Sequence, residues 1–265
     1  MATPDQSPAP LILAMDNVTV TSTHVAGSVL IDDVQWTVHA GDYWVIGGLP
    51  SSGKSDFLAT AAGLMRPLGG SVRLHGRDLA RLDDEERTQL QLKVAMVFGY
   101  GGRLFNHLTV EENLSLPYCY HHNCLATDSH QRVRTVLEAM ELSDVAQTRP
   151  ISTNRSTRQR IALARALVLS PELLFLDDPF AFIDPREVRW WLTFLDLLRA
   201  GHPLLDGRQL TIIAGTDDLQ AWTAHGRQYG LIQQRRFRPI GPWEAVLRDN
   251  SPTLRQLLPL DLLRK

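Results

Sequence analysis

Residues 48–55 read Gly-Leu-Pro-Ser-Ser-Gly-Lys-Ser, which fills the phosphate-loop pattern G-x-x-x-x-G-K-[ST]. A short apolar run, Tyr43-Trp44-Val45-Ile46, leads into it, and a helical run, Asp56 to Ala62, follows it. Strand, loop and helix in that order is the context in which the pattern has meaning. The N–H groups of such a loop, with the helix N-terminus behind them, form a cradle for anions. The expected nucleotide contacts are Gly48, Leu49, Pro50, Ser51, Ser52, Gly53, Lys54, Ser55 and Asp56. Lys54 is expected to reach the β- and γ-phosphates and Ser55 to ligate Mg²⁺. Gly48 and Gly53 let the backbone approach phosphate where a Cβ would clash. The implied ligand is a nucleoside triphosphate.

Outward from the loop, the pattern alternates strands and helices. Residues 11–22 and 28–38 alternate apolar and polar, as an antiparallel pair does. Residues 71–75 and 94–98 read as further strands, and residues 83–92 as a helix. The stretch 109–168 is mostly helical, over 109–120, 128–141 and 157–169. Leu173 to Asp177 is a continuous apolar run ending in an acid, the mark of a buried parallel strand. An amphipathic helix over 185–200 and strands at 210–214 and 229–233 follow. This is an α/β chain of the P-loop NTPase class. It has a mostly parallel sheet, an N-terminal antiparallel β element and an inserted helical subdomain at about 104–165. The expected division is a disordered leader at 1–10, an ATP-binding domain at 11–246 and a tail at 247–265.

Composition narrows the function. Of 265 residues, 44% are apolar and 21% charged, which suits one globular domain or two closely packed ones. The net charge of −2 carries no nucleic-acid footprint. Two cysteines make no disulfide framework. The first ten residues, MATPDQSPAP, lack the basic and apolar regions of a signal peptide. No apolar run approaches the roughly 18–20 residues that span a bilayer. These features suit a cytosolic protein able to dock on a membrane protein.

Leu173 to Asp178, LLFLDD, places Asp177 at a strand end, where it would hold Mg²⁺. With the phosphate loop, HLTVEENLSLP (107–117), RQRIALARAL (158–167), LLFLDDPFAFIDP (173–185) and TDD (216–218), the chain resembles an ABC-type ATPase from about residue 11 to 246. The resemblance implies two ATP-binding subunits, alike or different, facing head to tail around two ATP molecules. It also implies an integral membrane permease driven by their closing. GYGGRLFNHLTVEENLSLP further resembles the matching stretch of Mce/Mla-type phospholipid-transport ATPases.

The chain departs from that family at several positions. Gly99 stands where Gln is usual, and glycine can coordinate neither Mg²⁺ nor water. Thr153-Asn154-Arg155-Ser156-Thr157 replaces the LSGGQ signature. There Asn154 and Ser156 offer polar side chains, and Arg155 either blocks the γ-phosphate or supplies it a guanidinium. Asp178 takes the place of the catalytic Glu, shorter by a methylene of ~1.5 Å. Asp217 replaces the switch His, setting an anion toward the γ-phosphate. No Phe, Tyr or Trp lies at 20–24 to stack on adenine, and His24 is the one ring there. Ser51 replaces a common Gly, tolerable with a negative φ. Asp56 replaces a hydroxyl residue, helped by the helix dipole but an acid near phosphate.

These departures imply a working nucleotide site with slow or altered hydrolysis, Asp178 being what remains of the base. The alternative is a regulatory or scaffold protein that binds ATP without hydrolysing it. A soluble ABC protein of DNA repair or translation fits less well, since no coiled-coil arms and no second ATPase domain follow. Cys119, His121, His122 and Cys124 are spaced too tightly for a usual zinc module. Trp190 and Trp191 are expected in the core, and Arg235, Arg236 and Arg238 on a solvated edge.

Overall fold

The computed structural model describes residues 9–25, 27–99, 103–223 and 226–258. Two sheets carry the fold. The smaller is antiparallel, in the order β2 (Val29–His39), β1 (Leu11–Thr21), β4 (Gly69–Leu74), β5 (Arg77–Asp78). The larger has six strands in the order β10 (Arg236–Gly241), β9 (Gln228–Gln233), β3 (Tyr43–Gly48), β8 (Thr211–Thr216), β7 (Leu173–Asp177), β6 (Val94–Val97). Its pairs are parallel apart from β9 with β10. The expected α/β class, with its antiparallel N-terminal sheet and mostly parallel main sheet, is what the chain adopts.

The strand patterns explain their places. β7 and β8 are buried along almost their whole length, as strands covered on both faces must be. β2 alternates, burying Ile31, Val34, Trp36 and Val38. β10 was not expected, because Arg236-Phe237-Arg238-Pro239 reads as a charged turn. It is an edge strand, the place in a sheet where Pro is tolerated. Its arginines pair with Asp33 (Arg236, 3.1 Å) and with Asp249 (Arg238).

Helices α1 (Lys54–Ala61) and α2 (Asp84–Gln91) follow β3 and β5. Between β6 and β7 stand the inserted helices α3 (Val110–His122), α4 (Ala126–Ala139) and α5 (Arg155–Leu167). α3 opens with a capping box, Thr109 to Glu112, and buried Asn113 clamps the preceding turn through Phe105 N–H and C=O. α6 (Pro185–Gly201) starts on the Asp184 cap with Pro185 in its first turn.

The described residues close with two short helices, α7 (Trp243–Arg248) and α8 (Pro252–Leu257). Leu254 and Leu257 of α8 belong to the larger hydrophobic core. Leu219 N–H donates to Leu257 C=O at 3.1 Å, and a Cβ on Gly47 would meet the Leu257 side chain at 3.1 Å. The terminal helix is therefore seated against β3 and the loop after β8. The Leu-rich residues 259–265 and the leader residues 1–8 lie outside the described residues.

Candidate nucleotide site

Three strand ends build the site. β3 delivers the phosphate loop, β7 delivers Asp177 and Asp178, and β8 delivers Thr216 and Asp217. Gly53 sits at φ 91° and a Cβ there would be 3.0 Å from Leu30 Cβ. A Cβ on Gly48 would stand 2.6 Å from Ser52 Oγ. Gly53 requires glycine by its positive φ, and a side chain at Gly48 would have to displace the Ser52 hydroxyl. Ser51 takes φ 63°, so the condition under which a side chain there is easily tolerated, a negative φ, is not met. A side chain there carries the left-handed cost that the common glycine avoids.

Lys54 is buried, and its Nζ donates to Gly48 O at 2.5 Å and Leu49 O at 3.0 Å. Burial pulls its pKa below the usual lysine value, opposed by Asp217, Asp178 and Asp177. The Ser55 hydroxyl donates to Asp177 Oδ1 at 3.0 Å. Burial raises the Asp177 carboxyl, while Ser55 and Lys54 lower it. Asp178 stands beside it with φ 46°, its N–H bonded to Gly215 O at 3.0 Å. Its pKa is raised to about 6 by burial and then by Asp217, against the pull of Lys54. Ser52 Oγ is buried without a hydrogen-bond partner. Such an orphan hydroxyl inside a loop of this shape is what an anion would satisfy.

Asp56 is buried and held by a backbone partner. Its Oδ1 accepts the Thr23 N–H at 2.8 Å, which ties the loop after β1 to the first turn of α1. Sequence reasoning missed this tether, because it joins residues 33 apart across a β-hairpin. Gly99 packs on the backbone, where a Cβ would be 3.0 Å from Asp177 O. Leu49 and Pro50 form the rim of the loop, half-buried and exposed.

Asn154, Arg155 and Ser156 open α5 in the helical subdomain. Asn154 caps it, accepting the Thr157 N–H at 2.8 Å. The Arg155 guanidinium lies 4.9 Å from the ring centre of Phe182, in the loop after Asp178. Arg160 is engaged within the chain. It pairs doubly with Glu187 of α6 (2.8 and 3.0 Å), bonds Glu141 at 3.1 Å and covers the Trp190 ring at 4.0 Å. Trp191 is fully buried, whereas Trp190 is half-buried over that cation.

A groove of about 490 Å³ runs between β6 and the helical subdomain. Val94, Met96, Phe105, Leu116, Ala162 and Leu169 are among its apolar walls. Phe105 and Leu116 are exposed there. Leu104 is half-buried against the core. Tyr100, Gly101 and Gly102 lie outside the described residues. No helix among the described residues is long and apolar enough to cross a membrane.

The family model for ABC transporters matches residues 31–181, more than half of the chain. The methionine import ATP-binding protein MetN of Rhizobium etli is 30% identical over 229 residues, which is 86% of this chain and 61% of that protein. The sulfate/thiosulfate import ATP-binding protein CysA of Escherichia coli K12 is 33% identical over 171 residues, 62% of this chain and 45% of that protein. The chain thus spans less than two thirds of either relative. Among solved structures, the ATP-binding cassette MJ0796, a dimer in a post-hydrolysis state with ADP and Pi, superposes with a TM-score of 0.75. It is 25% identical and covers 87% of this chain and 98% of its own. Strand-end acids, phosphate loop, helical insertion and these matches agree: the chain belongs to the ABC transporter family, as its ATP-binding component.

Proposed function

We propose that this chain is the nucleotide-binding subunit of a membrane ABC transporter, holding Mg-ATP and coupling it to an integral membrane permease. The observation that carries this is the convergence of Lys54, Ser55, Asp177 and Asp178 on one phosphate loop. Ser55 Oγ and Asp177 Oδ1, 3.0 Å apart, suit the few protein oxygens that a hard cation such as Mg²⁺ takes. Bound there, the cation would neutralise the β- and γ-oxygens of ATP. Lys54 would exchange its two loop carbonyls for phosphate.

Asn154, Arg155 and Ser156 begin a separate lobe, so a second ATP-binding subunit, alike or different, supplies them to the γ-phosphate. The apolar groove suits a cytoplasmic helix of the permease, which supports a cytoplasmic location, peripheral on the inner face of the cell membrane. A lipid-related cargo is supported by the resemblance of residues 99–117 to phospholipid-transport ATPases. Partners of this kind are membrane proteins rather than nucleic acid.

Hydrolysis is slow on this reading. Gly99 has no side chain to orient water, and Asp217 sets a second anion beside Asp178. A carboxylate held ~1 Å out of place costs on the order of 10²-fold in rate. Those two positions are also what favours the alternative, an ATP-dependent regulatory or scaffold protein that does not hydrolyse. Binding of a fluorescent ATP analogue and steady-state phosphate release separate the cases. Lys54→Ala abolishes binding. Asp178→Glu raises turnover on the transporter reading and leaves it at zero on the alternative. Equal binding by Lys54→Ala and wild type would overturn the site.

A further inference from the structure

The chain's two cysteines, Cys119 and Cys124, are placed by the way α3 ends. Asn123 adopts φ 49°, ψ 47°, and the Cys124 N–H donates to Cys119 O at 3.2 Å. The Asn123 N–H also donates to Cys119 O, so the turn carries the 6→1 bond of a Schellman cap, the arrangement in which the C3 and C″ side chains commonly meet in an apolar contact. Here both positions are cysteine. The Cys119 thiol donates to Leu125 O at 3.3 Å, which brings the Cys119 sulfur to the residue next to Cys124. Burial and Cys119 raise the Cys124 thiol above its ordinary value. Both residues are half-buried, so solutes reach them.

A metal explains the pair poorly. Among the described residues no three His, Cys, Asp or Glu side chains are grouped to hold one. The His122 ring lies instead on Tyr118, centroids 4.3 Å apart. Between the two sulfurs in sequence stand Tyr120 and His121, which line the apolar groove.

We propose that Cys119 and Cys124 are a reversible dithiol–disulfide couple, oxidised by a hydroperoxide or a low-molecular-weight disulfide, that fixes the groove wall carried by Tyr120 and His121. With a hydroperoxide, the Cys119 sulfur attacks the terminal oxygen, giving a sulfenic acid and releasing the alcohol. The Cys124 sulfur then attacks that sulfenic sulfur and expels its oxygen as water. The two thiols lose two electrons and two protons, and the O–O bond is reduced by the same count. With a disulfide oxidant, thiolate exchange gives the same product and two small thiols. The ring closed is short, so the bond gains little from chain entropy and stays reducible. That favours a regulatory couple over a structural bridge.

The test uses the full chain, reduced and then treated with diamide. Free thiols are counted by alkylation and intact mass, and hydrogen–deuterium exchange is followed over residues 116–125. The expected result is a fall from two free thiols to none in a monomeric chain, with exchange over that segment slowed several-fold. Dithiothreitol restores both, and the Cys119→Ser/Cys124→Ser variant shows neither change. Two thiols still alkylated after diamide, bridges formed only between chains, or pairing without slowed exchange would each overturn the proposal. The couple itself stands whatever fills the groove, and only its effect on docking rests on the proposed permease. Loss of docking with normal thiol counts would therefore indict that reading and not this one.

Discussion

Ser51 is held in the left-handed region at φ 63°, a conformation that costs an L-residue about 1–2 kcal/mol. Glycine removes that cost but loosens the unfolded chain by about 0.4–1 kcal/mol. The balance makes Ser51→Gly stabilising by about 0.5–1 kcal/mol, read as a higher urea midpoint at unchanged slope. A neutral or lower midpoint would show that the hydroxyl is compensated by a bond. Asp178 carries the pH dependence. Its folded pKa of about 6 lies above the ordinary 3.8, so between those values the folded chain binds more protons than the unfolded one. Stability therefore falls as pH rises through that window, and below it the carboxyl costs nothing. At pH 8 the ionised group costs at most about 3 kcal/mol, and less after screening by solvent. Without nucleotide, Asp178→Asn should melt above wild type at about pH 8 and level with it at about pH 4. Parallel melting curves across that range would refute the assignment.

At the scale of elements, the groove between β6 and the inserted helices gives its own prediction. Phe105→Glu with Leu116→Glu should release the chain from membranes holding its permease, in co-sedimentation, while fluorescent-ATP binding is unchanged. Retention of both variants would place the partner elsewhere. Leu104 is the wrong residue to mutate, since it packs on the core. The sequence pattern identified most strands and helices because their periodicities are local: LLFL in β7 and the capped start of α6 depend on near neighbours. It missed β10, since Pro239 and the two arginines Arg236 and Arg238 argue against a strand unless the strand is known to be an edge. At the site, Lys54, Ser55 and Asp177 were legible because loop and strand-end chemistry fix the residue types. The Asp56–Thr23 tether and the Asp178–Asp217 repulsion were not, because each depends on which strands lie side by side.

For the molecule as a whole, the two cores share the main sheet between them. The C-terminal α8 closes the larger core, behind the strand that feeds the phosphate loop. Ending the chain at Asn250 uncovers Gly47 and Leu219 and removes Leu254, Leu257 and Leu258 from that core. Losing buried leucines costs about 2–5 kcal/mol each, so the shortened chain should unfold or aggregate at ambient temperature, seen by circular dichroism. If it stayed folded and bound ATP normally, α8 would be an appendage.

The helix that begins at Arg155 ends at Leu167, with Ala162, Arg165 and Ala166 of its last turns lining the groove, and Arg160 ties it to α6 through Glu187. Mechanically it is a lever of about 20 Å, by the rise of 1.5 Å per residue. A tilt of about 3° imposed at the groove moves the Arg155 end by roughly 1 Å, the displacement at which rates change on the order of 10²-fold. A permease that leans on one end of this rod would thus throttle chemistry at the other without touching the nucleotide.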